Sequence, residues 1–225
     1  MDFLSAIKIE EIYRHDLKSV VEISKSLSLW HTLSTGEQEY LKKLDQPIFQ
    51  DKFNSLTGEQ VRESLEDPLC WELEGDKFVY GEITKRGANK LAEYLHNFSG
   101  NFYDIGSGNG KLLLHLALLT DFISFTGIEI LEVRHKYALG IRESIGEAVE
   151  FICADVLDLD ISAADFLFLD DLMFPLELRQ AIHQKIPVGS YFLTAYQNDN
   201  QPLEIWSLAV SWQEFEMNFY LYKKN

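Results

Sequence analysis

The sequence predicts a doubly wound α/β protein: a mostly parallel sheet of seven strands finished by an antiparallel hairpin, with a helical extension in front. Three observations predict it. Short runs rich in aromatic and β-branched residues recur from Asn101 onward. Segments of helical character separate the first of them. The last two runs stand too close together for a parallel crossover, which needs a dozen residues or more.

The first third reads as helical. Ile9, Ile12, Tyr13, Leu17, Val20, Val21, Ile23 and Leu27 recur every three or four residues and give one amphipathic helix. Ser34 with Glu37 forms a capping box opening a segment that ends near Leu44, before Pro47. Thr57 with Gln60 opens another, ending before Pro68. The one plausible boundary lies around Glu74–Tyr80, so residues 1–78 are expected to form a helical cap or extension and 79–225 the α/β domain. NFYDIG, SFTGIE, VEFICAD and DFLFLDD then read as strands, with KLLLHLALL and LEVRHKYALGIRESI as helices between the first three. LELRQAIHQKI gives a further helix and SYFLTAY a fifth strand, and EIWSLAVSW with MNFYLYK forms the terminal hairpin.

Composition narrows the classes. Hydrophobic residues make up 46% and charged residues 25% of the 225, ordinary for a globular protein. No apolar run is long enough for a membrane span, and MDFLSAIKIEEIYRHD lacks the pattern of a secretory signal. Cys70 and Cys153 have no metal-ligand spacing and are expected as reduced thiols in a cytoplasmic setting. The histidines do not pair at ligand spacing either, so no metal is expected. Twenty basic residues against 36 acidic ones leave a net charge of −16, with the positives scattered and densest at Lys42-Lys43, Lys85-Arg86 and Lys223-Lys224. Direct nucleic-acid binding is disfavoured, because phosphate neutralisation needs a basic stripe. A basic partner would be steered toward such a surface.

The chemistry concentrates in Asp104-Ile105-Gly106-Ser107-Gly108-Asn109-Gly110-Lys111, directly after a strand and opening a helix. Its glycines allow a tight turn and bring backbone amides close to a ligand at the helix N-terminus. The spacing is G-x-G-x-G with an acid two residues ahead, rather than the G-x-G-x-x-G that seats a pyrophosphate. That suits a zwitterionic amino-acid cofactor, whose ammonium Asp104 can bind. Glu129 ends the second strand, where a carboxylate can accept both ribose hydroxyls. Asp155 ends the third, placed for an adenine amino group, with Val156 against the base. A single acid at a strand end is commonly a helix cap. Three on successive strand ends point to S-adenosylmethionine. Asp170-Asp171 ends the fourth strand, the side from which a substrate nucleophile would approach.

From about Phe78 to Tyr222 the chain resembles the Dot-type (disruptor of telomeric silencing) histone lysine methyltransferases, which use a Rossmann-like methyltransferase domain. Val79-Tyr80-Gly81-Glu82 resembles the family's VYGE loop, and Phe102 to Gly110 its F-x-D-L-G-S-G-x-G motif. Gly127-Ile128-Glu129, with Tyr137-Ala138 downstream, resembles its ribose site. Val210-Ser211-Trp212 and Phe219-Tyr220-Leu221 resemble its V-S-W and Y-Y-L elements. The resemblance implies that Tyr80, Gly81, Glu82, Ile83, Asp104, Gly106, Ser107, Gly108, Gly110, Lys111, Glu129, Asp155 and Val156 hold S-adenosylmethionine. It implies too that Asp170, Phe219 and Tyr220, with Phe174, line a channel for a lysine amine. Lys111 replaces a glutamine, Val156 a phenylalanine, Asp170-Asp171 an asparagine pair and Phe219 a tyrosine. The basic extension that nucleosome-binding members use is missing. The expected activity is methyl transfer to a basic protein substrate; the alternative is a small-molecule acceptor, with the N-terminal helices as a lid.

Overall fold

The central strand, β1 (Asn101–Ile105), pairs in parallel with β2 (Ser124–Glu129) on one side and β4 (Phe166–Leu169) on the other. The computed structural model describes residues 81–145, 149–213 and 215–225, together with His31, Ser34, Thr35 and Gln38. The chain divides into two compact units, Met1–Asn54 and Ser55–Asn225. In the first, Gln38 N donates to Ser34 O at 3.0 Å, where the capping box is expected to open a helix; Glu37 and the rest of that segment lie outside the described residues. The other expected N-terminal helices, the boundary near residue 78, Cys70 and Tyr80 lie outside the described residues.

The second unit carries a seven-stranded sheet in the order β3-β2-β1-β4-β5-β7-β6, completed by β3 (Val149–Cys153), β5 (Tyr191–Thr194), β6 (Glu204–Leu208) and β7 (Met217–Lys223). β7 lies antiparallel between β5 and β6, so it alone runs against the rest. This is the doubly wound, Rossmann-like sheet with a terminal hairpin that the strand pattern predicts. β1 to β4 read as near-continuous apolar runs because helices cover both faces of a parallel sheet.

Period-two alternation sorts side chains between two layers. On one face Phe102 stacks on Phe166 (5.4 Å, 8°), which in turn stacks on Trp206 of β6. Over this face lie α2 (Lys111–Leu119), with Leu113, Leu114 and Leu116 fully buried, and α1 (Lys85–Tyr94), which packs on α2 and β6. α3 (Glu132–Ile145) packs beside α2 and on β2 and β3. On the other face Ile105, Ile128, Leu167, Leu169, Phe192 and Tyr222 form a core with Ile182 and Ile186, brought by α4 (Leu176–Lys185) and the residue after it. No described helix is long and apolar enough to cross a membrane.

α1 is an element the sequence reading passed over. Thr84 caps it by accepting from Gly87 N at 3.2 Å. Gly87 is needed for close approach, since a Cβ there would stand 2.2 Å from Ala209 O.

Candidate functional site

The strand order reverses at β1, with β2 on one side and β4 on the other, and ligands of open α/β sheets bind beyond the carboxyl ends at such a point. A cavity of about 380 Å³ lies there. Asp104, Glu129 and Asp155, from the ends of β1, β2 and β3, all line it, as do Gly106, Ser107 and Gly108 of the glycine turn.

Gly106 (φ 82°) and Gly108 (φ 57°) hold the left-handed backbone the turn requires. Gly106 N and Ser107 N both donate to Ile128 O, at 2.8 and 3.0 Å, fixing the turn to β2. Glu129 completes the fixing: its Oε2 accepts from Gly108 N at 2.8 Å and its Oε1 from Leu131 N at 2.9 Å. Burial raises the Glu129 carboxyl, opposed by the Arg134 charge and by backbone amides. Asp104 is 4% exposed; burial, reinforced by the charges of Asp170 and Glu129, pushes it up to about 8. Asp155 does two things. Its Oδ1 accepts from Leu157 N at 2.9 Å, capping the 3₁₀ turn Val156–Asp158, and it faces the cavity beside Val156.

The opposite wall is a clasp made by two distant segments. Glu82 N donates to Ser211 Oγ (3.0 Å), Ser211 N donates to Glu82 O (2.8 Å), and Thr84 N donates to Ala209 O (3.0 Å). Ile83 bridges Val210, and the ring of Trp212 lies against Gly81, where a Cβ would be 2.4 Å from it. Glu82 also pairs with Lys111, the first residue of α2, and accepts from Asn109 Nδ2 at 3.4 Å. Lys111 and Glu82 are each 8% exposed. Burial pushes the Lys111 ammonium down, and the Glu82 charge and hydrogen bond oppose that.

The fourth strand's end supplies the third wall. Asp170 faces the cavity, partly open to it, and burial followed by the neighbouring Asp171 charge pushes its carboxyl up to about 7. Leu172, Met173 and Phe174 follow it along the wall, and Leu178 and Ile182 reach it from α4.

Three expected residues stand apart from the cavity. Phe219 is fully buried, stacked on Phe168 (5.5 Å, 29°), and it is Phe168 that reaches the wall. Tyr220 packs into the core on the other face of the sheet. Neighbouring residues of a strand point to opposite faces, so β7 cannot turn both toward one channel. Gly110 (φ 75°) caps α2 and faces away from the cavity: a Cβ would meet the Phe151 ring at 2.3 Å and Ala138 at 3.0 Å. Its smallness serves packing. Gly110→Ala is therefore expected to destabilise the fold by about 3 kcal/mol, through overpacking and a disfavoured backbone. Thermal unfolding checks this, and an unchanged Tm would refute it.

The residues fit an adenosyl-amino-acid cofactor. Ser107 brings its backbone to the cavity wall, while its Oγ is buried beside Gly127, near Leu113 and Phe151. A Cβ on Gly106 would meet only Phe174, at 3.5 Å, so the turn is open on its ligand side. The acids expected at the amine, ribose and base positions share one space. Sequence reasoning missed Arg134, Trp212 and the Lys111–Glu82 pairing. Trp212 carried a signal in the V-S-W likeness; the pairing joins residues 29 apart and had none.

No protein-family model and no curated protein matches the chain. Solved structures similar to it include an RNA methyltransferase from Salinibacter ruber in complex with S-adenosyl-L-homocysteine (19% identity, 76% of this chain and 93% of that one, TM-score 0.46). M. capricolum TrmK in complex with S-adenosyl-homocysteine is similar at 17% identity over 64% of this chain and 70% of that one, TM-score 0.48. A putative S-adenosyl-L-methionine-dependent methyltransferase from Methanococcus maripaludis is similar at 21% identity and TM-score 0.42, over 48% of this chain and 54% of that one. The match thus spans about half the length of that last protein.

Proposed function

We propose that the chain is an S-adenosylmethionine-dependent methyltransferase that transfers to an amine, with a protein lysine of the Dot-like kind as acceptor. The observation that carries the cofactor is the meeting of Asp104, Glu129 and Asp155 around one cavity beside the glycine turn. When bound, S-adenosylmethionine supplies a methyl group activated on a sulfonium, so the protein's work is alignment and exclusion of water. Asp104 holds the ammonium, Glu129 the ribose hydroxyls, and Asp155 with Val156 the adenine. Lys111 and Ser107 stand at the amino-acid end. Asp170 borders the acceptor side. The Dot-like acceptor is supported by the clasp: the segments resembling the family's VYGE and V-S-W elements, far apart in sequence, are bonded to each other.

A small-molecule acceptor is the second reading, favoured by the apolar mouth, where Leu172 and Met173 remain 40% and 42% exposed. Residues 1–78, helical in pattern, would then serve as the lid. Calorimetry with S-adenosylmethionine tests the cofactor; no heat at millimolar concentration would remove the methyltransferase reading. Incubation with radiolabelled cofactor, core histones and a host lysate tests the acceptor. Label in a protein band that acid hydrolysis returns as methyllysine is the expected result. Label confined to the small-molecule fraction would replace it with the second reading.

A further inference from the structure

Asp170 and Asp171 are chain neighbours with different surroundings. Asp170 borders the cavity, whereas Asp171 is wholly buried behind it. Asp171 Oδ1 accepts from Thr194 Oγ1 at 2.6 Å and from Tyr196 N at 3.1 Å, both at the end of β5. Its Oδ2 is buried with no hydrogen-bond partner. Thr194 is itself fully buried, and Tyr196 is held under the Arg179 guanidinium, 3.5 Å from the ring centroid. The second carboxylate is thus fixed as part of the framework.

We propose that Asp171 is a positioning residue that makes Asp170 the proton acceptor for the methyl acceptor. This rests on the methyltransferase reading of the same cavity. In the step, an N–H bond of the acceptor's ammonium breaks, its electron pair stays on nitrogen, and the proton forms an O–H bond on Asp170. The amine is then neutral and nucleophilic. Burial raises the Asp171 carboxyl as well, but the hydrogen bonds from Thr194 and Tyr196 oppose that, whereas Asp170 is raised by burial and by the Asp171 charge; in the coupled pair Asp171 therefore ionises first and Asp170 second. A carboxylate that ionises near neutrality is poised to take a proton there. The other groups around the pair are Asp104, with Glu129 beyond it, from the neighbouring strand ends, Arg179 from α4 and the Tyr222 phenol from β7. Arg179 favours ionised Asp171, reinforcing the order.

Aspartate carboxyl-13C NMR titration of the full chain tests this, with Asp170→Asn assigning the resonance. Asp171→Asn keeps an oxygen for Thr194 and Tyr196, removes the charge and puts an amide nitrogen in place of Oδ2. It is expected to lower the Asp170 midpoint by at least about one pH unit, a tenfold change in proton affinity. Thr194→Val, which removes one hydrogen bond to Asp171 Oδ1 and leaves both carboxyl groups in place, is expected to lower it by less. A midpoint unmoved in both variants overturns the proposal. S-adenosylmethionine, bearing the sulfonium, is expected to lower the midpoint further, and S-adenosylhomocysteine is not. Equal effects of the two ligands would place Asp170 away from the reacting atoms and also overturn it. Failure of either ligand to bind would instead strike the cofactor reading, leaving the variant titrations to decide the role of Asp171.

Discussion

Asp104→Asn is expected to weaken S-adenosylmethionine binding at least about 100-fold, because it removes the charge proposed to pair with the ammonium in a desolvated site. The same change is expected to stabilise the ligand-free protein at pH 8. The Asp104 carboxyl is raised from 3.8 to about 8 in the folded chain. Between those values the folded state holds a proton that the unfolded state has released, so stability falls as pH rises through this window. Below about pH 4 both states are protonated and the effect vanishes. Asparagine carries no charge at either end, and should remove a contribution on the order of a few kcal/mol. Asp170 and Glu129 are raised in the same direction, so some pH dependence will persist. Urea denaturation of both proteins at pH 5 and pH 8 is the measurement. Parallel curves for wild type and variant would sink the assignment. A companion result is expected in calorimetry at pH 7. Cofactor binding should release close to one proton from Asp104, seen as an enthalpy that varies with the buffer, and the variant should not.

Lys111→Met is expected to cost about 3–5 kcal/mol of stability, lowering Tm by on the order of 10 °C. Lys111 and Glu82 side chains are only 10% and 7% exposed, so removing the ammonium takes a close counter-charge from a buried carboxylate in the cavity wall. The double variant Lys111→Met with Glu82→Leu is expected to recover most of that loss, because the price of a buried pair lies in desolvating both partners. Thermal unfolding of the single and double variants checks this. A single variant as stable as wild type would mean that the pair is solvated. Cofactor affinity should not return in the double variant, since the clasp loses its tie to the helix.

The sheet was legible because burial on both faces leaves apolar runs that no other element explains, as in FLFL of β4. The acids were legible because each closes such a run. α1 was not read, although Ala88, Leu91, Ala92 and Leu95 recur at helical spacing and are buried. Its short stripe sits amid polar residues directly after the expected boundary. Likeness to a motif sends Phe219 and Tyr220 together to one channel, whereas strand alternation divides them between two faces. Lys111 stood out as a substitution in the glycine motif, but its partner comes from a segment before β1. Sequence proximity carries no trace of such pairs; only the folded arrangement of β1, the clasp and α2 creates them.

The bonds between Glu82 and Ser211 join positions 129 residues apart. During synthesis, the strands bearing the three acids leave the ribosome well before Ser211 and Trp212 do. A nascent chain therefore has the ligand-gripping groups in hand but no far wall to press the ligand against them. If these residues hold the cofactor as proposed, its capture is expected to be a late event of biogenesis, tied to emergence of the final two strands rather than to collapse of the first four.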